Sequence, residues 1–266
     1  MLQLGSTDAV VAGIARGREI CAEAYMLQGP VLRALEAAAR NGAGVSVRLE
    51  GAPFDDPTGY VAKGNAKAVA ELCSAGAVAT LAHPLHAKAL TIDGVLYLDE
   101  KNWRRGDLVL RESDAEGARN VATIKHEALD REAELLNANA GDAIVESESF
   151  GCCNAVYGAL LRLALEGASP RLLVADRELR GNVRESGLLA ALVRDGVRVR
   201  VCRDSEKLAA CGDGAWLGSA NATAAFGEGD MIDWGVSTRD PAIVSAVRAR
   251  FEKTWRSAAE FRYRKA

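Results

Sequence analysis

His83-Pro84-Leu85-His86-Ala87-Lys88-Ala89-Leu90-Thr91-Ile92-Asp93-Gly94-Val95-Leu96-Tyr97-Leu98-Asp99-Glu100-Lys101-Asn102-Trp103 reads as a strand, a tight turn and a returning strand. His86, Lys88, Leu90 and Ile92 share one parity. Strand side chains alternate between faces, so His86 and Lys88 are expected to point the same way. Asp93-Gly94 is a strong hairpin-turn signal. Val95-Leu96-Tyr97-Leu98 forms the return arm and brings Asn102 back near the hairpin's start. An imidazole, an ammonium and an amide on one surface suit a phosphate: a nucleophile, a cation and a neutral donor. Histidine is otherwise scarce, with only His83, His86 and His126 in the chain.

The stretch has a second copy. A gapless shift of 119 residues lays His86 on Ser205, Lys88 on Lys207, Asp93 on Gly212 and Asn102 on Asn221. The copy ends in Gly218-Ser219-Ala220-Asn221. The first stretch resembles the H-x-K-x4-D pattern of the phospholipase D superfamily, and the second resembles the Gly-Ser-x-Asn that completes it. The similarity covers nearly the whole chain, as two related halves. There are two departures. Asp99-Glu100 stand where the family has Gly-Ser, and Ser205 stands where it has its second His.

The order of elements predicts an α/β fold. Helices are expected at 9–15, 30–40, 65–75 and 121–137, and strands at 19–27, 45–49, 78–81 and 107–110, with a polar stretch over 111–120. Pro30 near a first turn and Asn41-Gly42 at an end bound one helix. The plan then repeats, with helices at 152–167, 186–195 and 241–258 and strands at 171–175, 197–201 and 231–236. This gives two similar α/β/α-type units, 1–138 with the motif intact and 139–266 with it degenerate, joined at Asn139-Ala140-Gly141-Asp142. The resemblance implies a single compact double-unit domain with pseudo-twofold symmetry, both hairpins facing one cleft.

Composition is that of an ordinary globular protein: 266 residues, 49% hydrophobic, 26% charged. A net charge of −3 does not favour a nucleic-acid partner, although it leaves room for a local basic cleft. Cys21, Cys73, Cys152, Cys153, Cys202 and Cys211 match no zinc spacing and read as buried reduced thiols of a cytoplasmic protein. No signal peptide or membrane-spanning run is read. No metal or cofactor is expected. The oligomeric state stays open, and a monomer is compatible with both halves lying in one chain.

A phosphodiester is anionic and repels nucleophiles. Lys88 and Lys207 would neutralise its non-bridging oxygens, and Asn102, Asn221 and Ser219 would donate hydrogen bonds to them. The resemblance implies that His86 attacks phosphorus and forms a phosphohistidine. Asp93 reads as turn former and hairpin anchor. Asp233, or Asp107, is the candidate carboxylate on the far ring nitrogen of His86. In the family a second His protonates the leaving oxygen, and Ser205 cannot do that. The alternatives are another acid (Glu206, Asp213, Cys211, Glu100 or His83), a chain that only binds a phosphate ligand, or two chains pairing their His86 residues. Asp99 and Glu100 either turn away, read a cation, pair with lysine or form a solvated pair. Arg104-Arg105 and Arg177, Arg180 and Arg184 are candidate polyanion clamps, and Trp103 and Trp234 flank the expected cleft. The expected activity is phosphodiesterase or phosphoryl/phosphatidyl transfer on a nucleic acid, phospholipid or small diester. The rival is a phosphate-ligand binding protein.

Overall fold

The structure is a computed structural model that describes every residue except 1, 55, 57, 139, 140, 153, 180, 181, 224–230 and 264–266. Arg180, Cys153 and the first two residues of the expected join therefore lie outside the described residues.

The first sheet is built from β1 (Leu2–Gly5), β2 (Glu19–Ala24), β3 (Gly44–Glu50), β4 (Val78–Ala82), β5 (Lys88–Ile92), β6 (Val95–Asp99) and β7 (Val109–Glu112), in the order β1-β7-β6-β5-β2-β3-β4. Helices α1 (Thr7–Ile14), α2 (Gly29–Arg40), α3 (Tyr60–Ser74), α4 (Ala115–Arg119) and α5 (Lys125–Ala138) punctuate it. β2, β3 and β4 run parallel, which obliges crossovers, and α2 and α3 supply them. Ser6 caps α1 through Ala9 N–H, and Pro30 lies in the first turn of α2. Val31 and Leu35 of α2 and Leu72 of α3 join Val47, Leu49 and Leu90 of the strands in one core.

The second sheet holds β8 (Ile144–Ser147), β9 (Arg171–Ala175), β10 (Arg198–Cys202), β11 (Leu208–Cys211), β12 (Gly214–Gly218), β13 (Gly235–Thr238) and β14 (Ala259–Glu260), in the order β13-β12-β11-β8-β9-β10-β14. Its helices are α6 (Ala155–Leu165), α7 (Asp176–Leu179), α8 (Val183–Arg194) and α9 (Pro241–Ser257). Six strands, β7-β6-β5-β2-β3-β4, recur in the same order as β13-β12-β11-β8-β9-β10. The repeat seen as a 119-residue shift is thus a repeat of topology. Only the outer strands differ, β1 on one sheet and β14 on the other.

By compactness the chain divides into residues 1–125 with 230–234, and 126–229 with 235–266. The strand expected at 231–236 is the reason for the split segment. Only Gly235 onward joins a sheet, as β13, while Met231–Trp234 bonds to the first unit: Ile232 O accepts from His86 N (2.8 Å) and Ala87 N (2.7 Å).

Other readings shift as well. The polar stretch 111–120 contains the end of β7 and the short helix α4, capped by Asp114. β1 was not expected; it is held antiparallel to β7, Leu2 opposite Glu112. Of the described cysteines, Cys21 and Cys73 are exposed rather than buried, because they lie on outward-facing positions of β2 and α3. No helix among the described residues is long and apolar enough to cross a membrane.

Candidate active site

β2, β3 and β4 end on one edge of the first sheet, and the segment after β4 carries His86. In open α/β sheets this carboxyl edge is where ligands sit. Glu50, buried at the end of β3, fixes that segment: its carboxylate accepts from Leu85 N (2.5 Å), Ala52 N (2.6 Å) and the His83 ring (2.8 Å). On the other side Leu85 bridges Ile232. His86 therefore lies just before the strand expected to contain it. β5 begins at Lys88.

The bridge to Ile232 delivers the next residue, Asp233, to His86. Asp233 Oδ1 lies 2.8 Å from His86 Nδ1 and its side chain is fully buried. A carboxylate only accepts, so the ring proton belongs on Nδ1. Lys88 Nζ lies 3.1 Å from His86 Nε2 and 2.7 Å from His86 O. An ammonium only donates, so Nε2 presents a lone pair. The Tyr25 ring packs edge-on to His86, centroids 5.0 Å apart, and lies 5.5 Å from Lys88 Nζ. Tyr25 is itself held by Ala87 O and by Asn65, whose Nδ2 donates to Tyr25 O (2.7 Å) and Glu50 O (2.9 Å).

Asn102 lies in the loop after β6, at the same end of the hairpin as Lys88, since β5 and β6 pair Ala89 with Leu98. Asp99 organises that loop: Oδ2 accepts from Trp103 N (2.6 Å) and Lys101 N (3.2 Å), while Asp99 O accepts from Trp234 Nε1 (3.1 Å). Trp103, buried, adopts φ +59°, in a region that costs a bulky residue energy. Asn102 Oδ1 is buried with no hydrogen-bond partner among the described residues. Asp99 and Glu100 are buried too, so they are not a solvated pair; Glu100 accepts from Leu108 N (3.1 Å). Burial, helped by the charge of Asp107 and opposed by Lys88, pushes Asp99 up to about 8. Burial also raises Asp107, which accepts from Arg104 N; the His86 bond is made by Asp233. Trp103 and Trp234 are both buried. Asp93 sits at the hairpin's far end, φ 47°, and accepts from Arg18 N and Glu19 N, which holds its carboxyl below the usual range.

In the second unit Lys207 is buried and its Nζ lies 3.1 Å from Glu148 Oε2. Glu148 also pairs with Arg177, one of the candidate clamps. Ser205 is buried and its Oγ has no partner among the described residues; the same holds for Asn221 Oδ1. Ser219 is buried. Of the acids considered for the leaving group, Glu206 lies 3.4 Å from Arg250 and Asp213 is 3.4 Å from Arg239. Cys211, at the turn end of β11, has its thiol pushed up by burial. Among the described residues no three His, Cys, Asp or Glu side chains form a metal-ligand group. Tyr25, Glu50, Asn65 and Glu148 were not singled out by the sequence. Tyr25, Glu50 and Asn65 gain their roles where the ends of β2 and β3 meet α3 in the first unit, and Glu148 where β8 ends in the second.

The sequence matches no protein-family profile and no curated protein. The structure is similar to phosphatidylserine synthase from Haemophilus influenzae Rd KW20, with TM-score 0.73, 10% identity, and 98% of this chain and 87% of that one covered. It is also similar to polyphosphate kinase from Porphyromonas gingivalis, with TM-score 0.66, 16% identity and 96% of this chain covered. These two structures share the mixed α/β fold of this chain, with its two seven-stranded sheets described above. This chain spans 47% of the length of the polyphosphate kinase. At these identities the likeness shows a shared fold and no shared chemistry.

Proposed function

We propose that this chain is a phosphodiester-transfer enzyme working through a phosphohistidine at His86. The single observation that supports the reading is the chain Asp233–His86–Lys88, 2.8 Å and 3.1 Å between successive polar atoms. Asp233 keeps the proton on Nδ1 and stabilises the imidazolium that attack creates. Nε2 gives its lone pair to phosphorus, the bond from phosphorus to the leaving oxygen breaks, and that oxygen takes the bonding electron pair and then a proton from water. Water or an alcohol then displaces Nε2, completing hydrolysis or transfer. Lys88 meets the charge on the non-bridging oxygens, and Asn102 donates to them. By their place in the repeat, Lys207, Ser219 and Asn221 belong to the same proposal as anion-binding groups, and Asp93 as the anchor of the hairpin. The substrate is a phosphate diester; nucleic acid, phospholipid and small diester are the classes to assay. The soluble, cytoplasmic setting read from composition is part of the proposal.

A second reading has its own support. Ser205 replaces an acid, and Glu148 neutralises Lys207. The first weakens turnover without weakening binding and favours a phosphate-ligand binding protein, whereas the second lowers the pull of Lys207 on an anion in either reading.

Bis-p-nitrophenyl phosphate, whose leaving group needs no acid, separates the two. The enzyme reading expects turnover that falls at least about a thousandfold in His86→Ala, with an acid-labile, base-stable phosphoryl label on the wild type. Turnover that survives His86→Ala removes His86 from the mechanism. Absence of turnover with phosphate still bound selects the binding protein.

A further inference from the structure

The end of α8, β10, the end of α9 and the residues after β14 enclose a groove of about 300 Å³ in the second unit, at the lower bound for small-molecule sites. Arg198 and Arg200 line it, two residues apart on β10 and so on one face. Both guanidinium groups lie over the indole of Trp255, at 5.6 Å and 4.8 Å from the ring centroid, and Arg200 Nη1 donates to Trp255 O at 2.7 Å. Trp255 is backed by Phe251, centroids 5.4 Å apart and rings nearly parallel.

Arg171 rests on the same indole, but its charge is spent on Asp142 (2.6 Å) and Glu252 (2.7 Å). Arg198 and Arg200 form no ion pair with a described residue. Glu260 is the one carboxylate among the described lining residues; it stands opposite Arg200 in the β10–β14 register without closing a salt bridge. An arginine already ordered on a ring has lost part of the freedom that ligand binding would otherwise remove, and its planar fork matches phosphate oxygens. The other wall is apolar, formed by Val193, Val197 and Phe261. Beyond it the chain runs Phe261-Arg262-Tyr263, with Arg262 and Tyr263 exposed. Two fixed cations beside an apolar and aromatic wall select a ligand with an anionic head and a flat body.

We propose that this groove binds a nucleotide unit, its phosphate held by Arg198 and Arg200 and its base packed on Phe261 and the valine wall. Guanidinium planes and aromatic rings are the surfaces on which bases stack. The unit is either a free nucleotide or one residue of a single strand. The site uses no residue of the His86 constellation and does not depend on the phosphodiesterase reading.

The test uses the full chain carrying His86→Ala, so that no probe is consumed. Adenosine monophosphate and inorganic phosphate are titrated by calorimetry, and a fluorescein-labelled oligothymidylate by anisotropy at low salt. Arg198→Glu/Arg200→Glu is expected to weaken nucleotide or strand binding at least about tenfold, the affinity of a charge-assisted contact. Arg198→Gln/Arg200→Gln removes charge with less perturbation and should weaken it in the same direction if reversal lowers the urea midpoint. Tighter binding of the oligomer than of the monophosphate assigns the strand; equal binding assigns the free nucleotide. Binding within twofold of the parent in both double variants overturns the proposal. So does inorganic phosphate binding as tightly as the monophosphate, or no binding of either nucleotide probe.

Discussion

Asp233 Oδ1 and His86 Nδ1 meet at 2.8 Å across 147 residues of sequence, inside one compact unit. The contact is set by backbone, because Ile232 O takes two amide protons from the segment that carries His86. Asp233→Asn should leave this backbone bridge intact and alter the ring. An amide can donate to Nδ1 and so favours the tautomer with its proton on Nε2, which has no lone pair there. Turnover of an activated diester should fall about 10²–10⁴-fold with little change in KM. Nitrogen-15 shifts of the His86 ring report the tautomer directly, and an unchanged Nδ1–H form in the variant would refute the assigned role.

Glu148 offers a second test. Its carboxylate pairs with Lys207, and on the proposal that Lys207 binds the anion an incoming phosphate must compete with it. Glu148→Gln keeps the shape and removes the charge, so inhibition by tungstate or inorganic phosphate should tighten about three- to tenfold, the scale of one partly screened charge pair. Lys207→Ala should remove that gain. Equal inhibition constants in wild type and Glu148→Gln would exclude Lys207 as an anion-binding group.

These two contacts also mark how far the sequence could be read. The Asp93-Gly94 turn and the parity of Lys88, Leu90 and Ile92 give β5 and β6 directly, because hairpin signals are local. The 119-residue shift anticipates the shared strand order because duplication preserves topology. Asp233 was within reach as a candidate, but choosing it over Asp107 required the bridge at Ile232, which has no sequence signature. Glu148 was invisible because it stands at the end of β8, a strand that four residues, Ile144–Ser147, barely signal. Asp99 and Glu100 show the same limit: the sequence left open whether they turn away, read a cation, pair with lysine or lie solvated, whereas both are buried and accept from backbone N–H groups of the loop that holds Asn102.

Asn65 carries a stability prediction. It is fully buried in α3, and its Nδ2 satisfies two strand-end carbonyls, Tyr25 O and Glu50 O. Asn65→Ala removes the donor that both carbonyls use, at about 1–3 kcal/mol for each buried group left unsatisfied. Urea unfolding should show a loss of about 2–4 kcal/mol on that scale. Because Tyr25 packs on the His86 ring, activity at temperatures where the variant stays folded should fall as well. A loss under about 0.5 kcal/mol would mean that water replaces the amide without cost.

Glu132 makes stability depend on pH. It lies on the buried face of α5 with Ala128, Leu129 and Leu136, and burial alone pushes its carboxyl from 4.5 to about 8. Glu185 is raised to about 7, mainly by burial. Between the unfolded and folded values the native state holds a proton that the unfolded chain releases. Stability therefore falls as pH rises from about 4.5 towards 7 for Glu185 and towards 8 for Glu132, by up to about 1 kcal/mol per pH unit for each group. Glu132→Gln replaces the carboxylic acid by a neutral group of the same shape and should cancel its share. At pH 5 wild type and variant should have similar urea midpoints; at pH 8 the variant's should be higher. Parallel midpoint curves from pH 5 to pH 8 would show that Glu132 is ionised in the folded protein and finds a partner there.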